Sequence, residues 1–188
     1  MRTEVPESGL GFSRPILEPA LNATLAHCYQ CGKCAAGCPL GGEMDFAPYQ
    51  IFHMLRLGFP DLEEKVLQSE SIWLCLSCSM CSTRCPQEVD IPKIMDALRS
   101  ESLRRNRVNP KCRDIVSFHR AFLDAVRHAG RQNEVDLVAG YKMRSGHFLK
   151  DLLLAPRMFL KGKLGLKLHR VHDRTGVRAL FRRKPGKG

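Results

Sequence analysis

The chain has 188 residues, of which 44% are hydrophobic and 26% charged, and its formal net charge is +11 at pH 7. This length allows one domain of ordinary size or a compact core with extensions. The first residues lack the apolar stretch of a cleaved signal, and charge or proline interrupts every long apolar stretch. We therefore expect a cytoplasmic protein without a transmembrane segment. The cysteine count is nine, and an odd number disfavours a disulfide framework.

The charge is distributed unevenly along the chain. Residues 1–98 hold 7 Lys and Arg against 12 Asp and Glu, which gives −5, whereas residues 99–188 hold 23 against 7, which gives +16. A half as basic as this faces an acidic partner, a nucleic acid or a membrane surface. Charge alone does not choose among these three.

Two short cysteine runs follow a proline- and glycine-rich N-terminal arm, residues 1–19. Both have the spacing C-x-x-C-x-x-C-x-x-x-C-P, in the first run Cys28, Cys31, Cys34 and Cys38, and in the second Cys75, Cys78, Cys81 and Cys85. In bacterial-type runs, three thiolates wrap one 4Fe–4S cluster and the fourth ligates the other cluster. The spacing therefore predicts two 4Fe–4S clusters, one held by Cys28, Cys31, Cys34 and Cys85, and the other by Cys75, Cys78, Cys81 and Cys38.

Other uses of the cysteines fit less well. Zinc also binds C-x-x-C pairs, but a zinc site does not explain four thiols in one run or the repeated Cys-Pro, so zinc stays the alternative metal. The ninth cysteine, Cys112, lies outside both runs. We predict that it is a small buried apolar residue, with a redox-active thiol as the alternative.

Residues 20–108 are predicted to form an all-α, ferredoxin-type domain around the clusters, because strand-like alternation is almost absent. Pro48 near a helix start and Gly58 at its end delimit one helix. Asp61, with Glu64 three residues later, resembles a capping box that opens the next helix. Asp90 is predicted to cap a further helix whose apolar face is formed by Ile91, Ile94, Met95 and Leu98.

The two loops differ in the small residues between their cysteines. Gly32 and Gly37 let the first loop approach its sulfurs closely. The second loop contains Ser77, Ser79, Ser82 and Thr83, whose hydroxyls could donate to sulfur. Such donors favour the reduced cluster, so the sequence predicts that the second cluster has the higher potential.

Residues 109–140 are predicted to be a helical extension. Asn109 and Pro110 start the longest helix, which ends at Gly130 and carries an apolar stripe of Ile115, Phe118, Phe122 and Val126. Residues 141–188 form a basic segment and tail in which apolar clusters alternate with cations. Three interpretations of this segment remain open: docking onto a partner subunit, packing onto the chain's own core, and contact with a membrane surface.

The strings CYQCGKCAAGCP, CLSCSMCSTRCP and FHRAFLDAVRHAGR together resemble the C subunit of heterodisulfide reductase over residues 20–135. The segment LLLAPRMFLKGKLGL is more loosely similar. The resemblance implies an electron-transfer subunit of an oxidoreductase complex, which relays electrons between a flavin-containing A subunit and a cysteine-rich B subunit. In that family the cluster motifs of the B subunit have adjacent cysteines, and this sequence has no such pair. The resemblance thus implies that no substrate is converted on this chain.

Two alternative functions remain. Similar helical cluster domains occur in succinate dehydrogenase and glycolate oxidase, so the chain could instead be the iron–sulfur subunit of a lactate-, glycolate- or succinate-type dehydrogenase. The basic half suggests a nucleic-acid-binding protein with structural clusters. This second alternative is disfavoured, because the sequence lacks a motif that combines aromatic and basic residues for base stacking.

Overall fold

The computed structural model describes residues 16–146, 160–161, 171 and 174–182. Helices and turns, with no strand, make up this described part, which confirms the all-α prediction. The chain divides into two compact units, Met1–Cys112 and Arg113–Gly188. Most of the N-terminal arm, most of the apolar and cationic clusters after residue 146, and the tail from residue 183 lie outside the described residues.

The elements follow one another along the chain with short connections. The first unit contains α1 (Pro19–Ala26), α2 (Lys33–Ala36), α3 (Pro48–Leu57), α4 (Pro60–Leu67), α5 (Ser71–Leu74), α6 (Met80–Thr83), α7 (Ile91–Arg104) and a 3₁₀ turn (Pro110–Cys112). The second unit contains α8 (Arg113–Ala129), α9 (Glu134–Ser145) and α10 (Arg174–Arg182).

Local capping explains where α3 and α7 begin and end. Pro48 is the first residue of α3, and Gly58 ends that helix with φ +66°, as the sequence predicts. At the start of α7, the Asp90 carboxylate accepts a hydrogen bond from the Lys93 N–H at 3.4 Å. The predicted apolar face of α7 is confirmed, because the side chains of Ile91, Ile94, Met95 and Leu98 are all buried.

The predicted capping box at Asp61 is wrong. Helix α4 begins at Pro60, so Asp61 lies inside its first turn, and the residue before the helix, Phe59, has no capping side chain. Glu64, the other half of the predicted box, instead pairs with Arg107 at 3.1 Å. Proline fixes the backbone angle that a first helical residue needs, and here it sets the helix start two residues earlier than the predicted cap at Asp61 implies.

The core of the first unit lies between α3, α4, α5 and α7. Its fully buried side chains include Ile51, Phe52, Val66, Leu67, Ile72, Ile94, Met95 and Leu98. One buried polar contact joins two of these helices, because the Ser102 hydroxyl donates to the Leu67 carbonyl at 2.8 Å. This core supports the loops that precede α2 and α6, which carry the cysteines.

In the second unit, α8 has its predicted end but not its predicted buried face. The helix ends before Gly130, as the sequence predicts. Phe118 and Phe122, from the predicted stripe, are 44% and 38% exposed. The buried face consists of Val116, Ala121, Ala125 and Ala129. Small residues let α9 approach closely, and a Cβ placed on Gly140 would lie 3.4 Å from the Ala121 Cβ.

Helix α9 continues through residues 140 and 141, the junction between the predicted extension and the predicted basic segment. The compact units separate after Cys112, whereas the predicted ferredoxin-type domain ends at residue 108, a boundary that stays a prediction. Within the described ranges, no helix has both the length and the apolar character that crossing a membrane requires.

Candidate iron–sulfur centre

The two cysteine runs form the same backbone structure. In each run, a four-residue helix lies between the second and fourth cysteines, α2 in the first and α6 in the second. Gln30 and Gly32 have φ angles of +66° and +76°, and the equivalent Ser77 and Ser79 have +51° and +61°. The sequence repeat is therefore a structural repeat, in which Ser79 adopts a left-handed conformation that glycine adopts in the first loop.

A first cavity collects three cysteines of the first run and one of the second. Cys28, Cys31 and Cys34 line it together with Cys85, and it encloses about 300 Å³ including its open mouth. Its inner wall is apolar and consists of Phe52, Val89 and Ile91 together with Tyr49.

A second cavity has the reciprocal composition. Cys75, Cys78 and Cys81 line it together with Cys38, and it encloses about 390 Å³ including its mouth. Apolar side chains complete the lining, namely Leu40, Met44, Pro48, Leu76, Met80, Ile91 and Pro92, together with Pro39 and Ser77. Each cavity is thus lined by three cysteines of one run and by the fourth cysteine of the other. Which thiolates ligate which cluster stays a prediction. Ile91 lines both cavities and lies between them.

In each loop, a backbone carbonyl accepts a hydrogen bond from an arginine of a longer helix. Arg56 of α3 donates to the carbonyl of Cys28 at 2.5 Å. Arg99 of α7 donates to the carbonyl of Cys75 and, at 2.5 Å, to that of Ile72. Each run therefore has the carbonyl of its first cysteine fixed by a guanidinium group.

Hydrogen-bond donors to sulfur are concentrated in the first loop. The Gln30 side-chain amide lies 3.5 Å from the Cys28 Sγ and can donate to it. The Cys31 thiol accepts from the Lys33 N–H and bonds to the Tyr29 hydroxyl, and together these interactions lower its pKa. The backbone N–H groups of Ala35 and Tyr49 bond to Cys34.

The second-loop hydroxyls with described hydrogen bonds contact oxygen atoms or an arginine rather than cysteine sulfurs. The Ser77 hydroxyl lies 3.4 Å from an Asp96 carboxylate oxygen, and the Thr83 hydroxyl donates to the Ser79 carbonyl at 3.1 Å. The Ser82 Oγ is buried and has no hydrogen-bond partner among the described residues. The sulfur of Cys81 accepts from the Ser82 backbone N–H. The donors that were expected from these hydroxyls are thus largely absent from the described sulfur contacts.

Burial shifts the pKa of one thiol in each run. Burial raises the pKa of Cys34 to about 11 and also raises the pKa of Cys81. Such thiols stay protonated at neutral pH, whereas iron binds and stabilises the thiolate. Each cavity is lined by four cysteines and by apolar side chains, and this lining fits one 4Fe–4S cluster in each.

Cys112 takes no part in either cavity. It ends the 3₁₀ turn and is only 2% exposed. Burial raises its pKa to about 11, which removes the nucleophilic thiolate form at neutral pH. The prediction that Cys112 is a small buried residue is confirmed.

The sequence did not indicate three residues that support the loops. Arg56 and Arg99 contact cysteine carbonyls that lie more than twenty residues away in the chain. Asp45 accepts from the backbone N–H groups of Glu70 and Ser71, both at 2.9 Å, and thereby fixes the start of α5, which leads into Cys75. No local pattern marks such long-range contacts, since Arg56 follows Cys28 by 28 residues whereas Arg99 follows Cys75 by 24.

An all-α domain with two adjoining cavities, each lined by four cysteines, defines the class of two-cluster iron–sulfur proteins. Comparison with known families agrees, because the model of the 4Fe-4S dicluster domain matches residues 24–89. The chain therefore contains a 4Fe-4S dicluster domain, and its cofactors are two 4Fe–4S clusters.

Curated relatives give a closer assignment. The chain is 28% identical over 95 residues to the C subunit of the H(2):CoB-CoM heterodisulfide,ferredoxin reductase of Methanothermobacter thermautotrophicus, a match that covers 50% of each chain. It is 31% identical over 123 residues to an iron–sulfur C subunit of the CoB–CoM heterodisulfide reductase of Methanocaldococcus jannaschii, which covers 65% of this chain and 62% of the relative. It is 35% identical over 86 residues to the iron–sulfur C subunit of the Methanopyrus kandleri heterodisulfide reductase, which covers 46% of this chain and 42% of the relative.

The chain is an iron–sulfur subunit similar to the C subunits of heterodisulfide reductases. Its matches span about half to three fifths of the length of the first curated relatives.

Proposed function

We propose that this chain is the electron-transfer subunit of a heterodisulfide reductase-like complex, between a flavin-containing A subunit and a cysteine-rich B subunit. One observation carries the proposal: each of the two adjoining cavities combines three cysteines of one run with the fourth cysteine of the other run. The names of the similar proteins, all C subunits of heterodisulfide reductases, support the kind of complex.

The proposed ligands are the two crossed sets. Cys28, Cys31, Cys34 and Cys85 hold cluster 1, and Cys75, Cys78, Cys81 and Cys38 hold cluster 2. When bound, each cluster supplies one-electron redox chemistry. The protein contributes position and burial: Ile91 separates the two cavities, and Phe52 and Val89 exclude water from the inner wall of the first.

Electrons need a place to enter and a place to leave. The structure offers one at each cavity, because Cys31 of the first and Cys78 of the second are exposed at the surface. A redox partner that docks over either cysteine comes close to the corresponding cluster. The chain thus has the two accessible ends that a relay requires, and the proposal leaves substrate conversion to other subunits.

The direct test is anaerobic affinity purification of the tagged full-length chain from its host. We expect a flavoprotein and a protein with adjacent-cysteine motifs to co-purify. We further propose that residues 141–188 dock the partner through their positive charge, so that raising the salt concentration releases it. Capture of a lactate-, glycolate- or succinate-type flavin dehydrogenase instead would favour the first alternative. A partner-free protein that binds nucleic acid with a steep salt dependence would favour the second.

A further inference from the structure

The structural repeat allows the two loops to be compared position by position, and they differ most at the rims of their cavities. Tyr29 in the first loop corresponds to Leu76 in the second, Gln30 to Ser77, and Lys33 to Met80. Tyr29 is 55% exposed, and Leu76 and Met80 are 63% and 46% exposed, so these side chains all lie at the surface beside the exposed cysteines. The first rim is polar and cationic, and the second is largely apolar.

The two loops also differ in the hydrogen-bond donors that lie near their cysteine sulfurs. In the first loop, the Gln30 Nε2 lies 3.5 Å from the Cys28 Sγ, and the Tyr29 hydroxyl lies near the Cys31 thiol. In the second loop, Leu76 has no donor to offer. The hydroxyl of Ser77 lies 3.4 Å from both an Asp96 carboxylate oxygen and an Arg99 guanidinium nitrogen, which keeps it occupied away from sulfur.

One backbone contact is matched between the loops. A guanidinium group donates to the carbonyl of Cys28 and another to the carbonyl of Cys75. Each loop also has one exposed cysteine, Cys31 or Cys78, although Cys34 of the first loop is buried and Cys81 of the second is half-buried. The side chains that differ in charge or in hydrogen-bond donors are Tyr29, Gln30 and Lys33 in the first loop and Arg84, at the position of Gly37, in the second. Only the first three lie at the rim of the first cavity beside Cys28 and Cys31.

A cluster gains negative charge on reduction, and hydrogen bonds to its thiolate sulfurs stabilise that charge and raise the reduction potential. A nearby ammonium group acts in the same direction. Resting on the ligand sets proposed above, we infer that Tyr29 and Gln30, assisted by Lys33, make cluster 1 the higher-potential cluster. This order is the reverse of the one that the second-loop hydroxyls predict from sequence. The relay is therefore downhill from cluster 2 to cluster 1.

The test is a redox titration of the anaerobically prepared holoprotein, followed by electron paramagnetic resonance. Tyr29→Phe keeps the ring and removes the hydroxyl, and Gln30→Ser installs the second-loop residue. Each is expected to shift the higher of the two potentials downward and to leave the lower one in place, which narrows the gap. A downward shift of the lower potential, or no shift of either in both variants, would overturn the inference.

Thr83→Ala is the matched control, because it installs the first-loop residue, Ala36, and removes a hydroxyl that donates to a carbonyl rather than to sulfur. We expect it to leave both potentials unchanged. An equal downward shift in Thr83→Ala would show that loop hydroxyls act without touching sulfur, which contradicts the inference. Iron and sulfide contents are measured in parallel: wild-type protein with only one cluster, or with zinc, would defeat the proposed ligand sets themselves, whereas two clusters in the other order defeat only this inference.

Discussion

Arg56 and Arg99 make the same contact in the two halves of the repeat, each donating from its guanidinium group to the carbonyl of the first cysteine of a run, Cys28 or Cys75. The two arginines lie on different helices, α3 and α7, so the shared contact arises from the fold rather than from a repeated local sequence. Each loop is thereby fixed to the helical core at the point where its first ligand is placed.

The two arginines are not equally buried, and this difference leads to a prediction. The Arg99 side chain is 16% exposed and also pairs with Asp96 at 2.9 Å, whereas Arg56 is exposed. Because a buried charged donor contributes more than a solvated one, Arg99→Met is expected to lower the free energy of unfolding by about 1.5–3 kcal/mol. Arg56→Met, the matched control, is expected to lower the free energy of unfolding by less. Denaturant unfolding measures the free energy of unfolding of both variants, and the rate of cluster bleaching by an iron chelator provides a second comparison. Equal decreases in stability for Arg99→Met and Arg56→Met would contradict the explanation from unequal burial.

Crossed ligation predicts which cluster each fourth cysteine serves. Cys85→Ala is expected to damage the cluster bound by the first run, and Cys38→Ala the cluster bound by the second, because each cavity takes its fourth thiol from the other run. Cys112→Ala removes a cysteine that lines neither cavity and is expected to keep the full iron content. Iron analysis and electron paramagnetic resonance of the three variants make the comparison. Crossed ligation would be contradicted if Cys85→Ala and Cys38→Ala each damaged the cluster bound by their own run. Loss of iron in Cys112→Ala would also contradict it.

Asp45 makes the second loop sensitive to acid. Burial alone would raise its pKa, but hydrogen bonds from the Ser71 hydroxyl and from the backbone N–H groups of Glu70 and Ser71 outweigh burial and hold the pKa below its ordinary value. A carboxyl with a lowered folded-state pKa contributes stability above the unfolded value of about 3.9, and this contribution is lost as the pH falls through the folded value.

We therefore expect Asp45→Asn to be less stable than wild type at pH 7, by about 1 kcal/mol as for a lost helix cap. The difference should shrink as the pH is lowered below about 4, where the wild-type carboxyl becomes protonated. Unfolding measured at a series of pH values tests the direction. A difference that grows toward acid would contradict the role of Asp45 as an ionised hydrogen-bond acceptor.

Gly130 ends α8 in a conformation that side chains tolerate poorly. Its φ is +81°, and a Cβ placed there would lie 2.9 Å from the Val171 Cβ. Gly130→Ala is expected to destabilise the second unit by about 1–2 kcal/mol. Gly42→Ala is the control, because Gly42 lacks a left-handed φ and an added Cβ there would contact nothing within 4 Å. Thermal unfolding compares the two variants, and equal midpoints would contradict the steric explanation.

Features that depend on near neighbours in the chain could be predicted from the sequence. Pro48, Gly58 and Asp90 act through their own backbone and the next turn, so the limits of α3 and the start of α7 follow from local chemistry. The grouping of the cysteines also follows from local spacing, because a run of three thiols wraps one site and a fourth is held away from it.

Features that depend on which helix packs where could not be predicted. The face of α8 with the larger apolar residues was the natural choice for burial, but the alanine face permits the close approach of α9 and is the one buried. Phe118 instead lies at the edge, its ring 6.2 Å from that of Tyr141. The contacts of Asp45, Arg56 and Arg99 depend likewise on the assembled fold. The Ser77 hydroxyl contacts Asp96 because α7, which carries Asp96, packs against the second loop.

The proposed function depends on two clusters that one chain holds in adjoining cavities, both of which are lined by Ile91. The most direct measurement is electron paramagnetic resonance of the fully reduced, anaerobically prepared chain, together with its iron, sulfide and zinc contents. We expect iron and sulfide for two 4Fe–4S clusters and a spectrum broadened by magnetic interaction between them. A single isolated cluster signal, or zinc in place of iron, would contradict it.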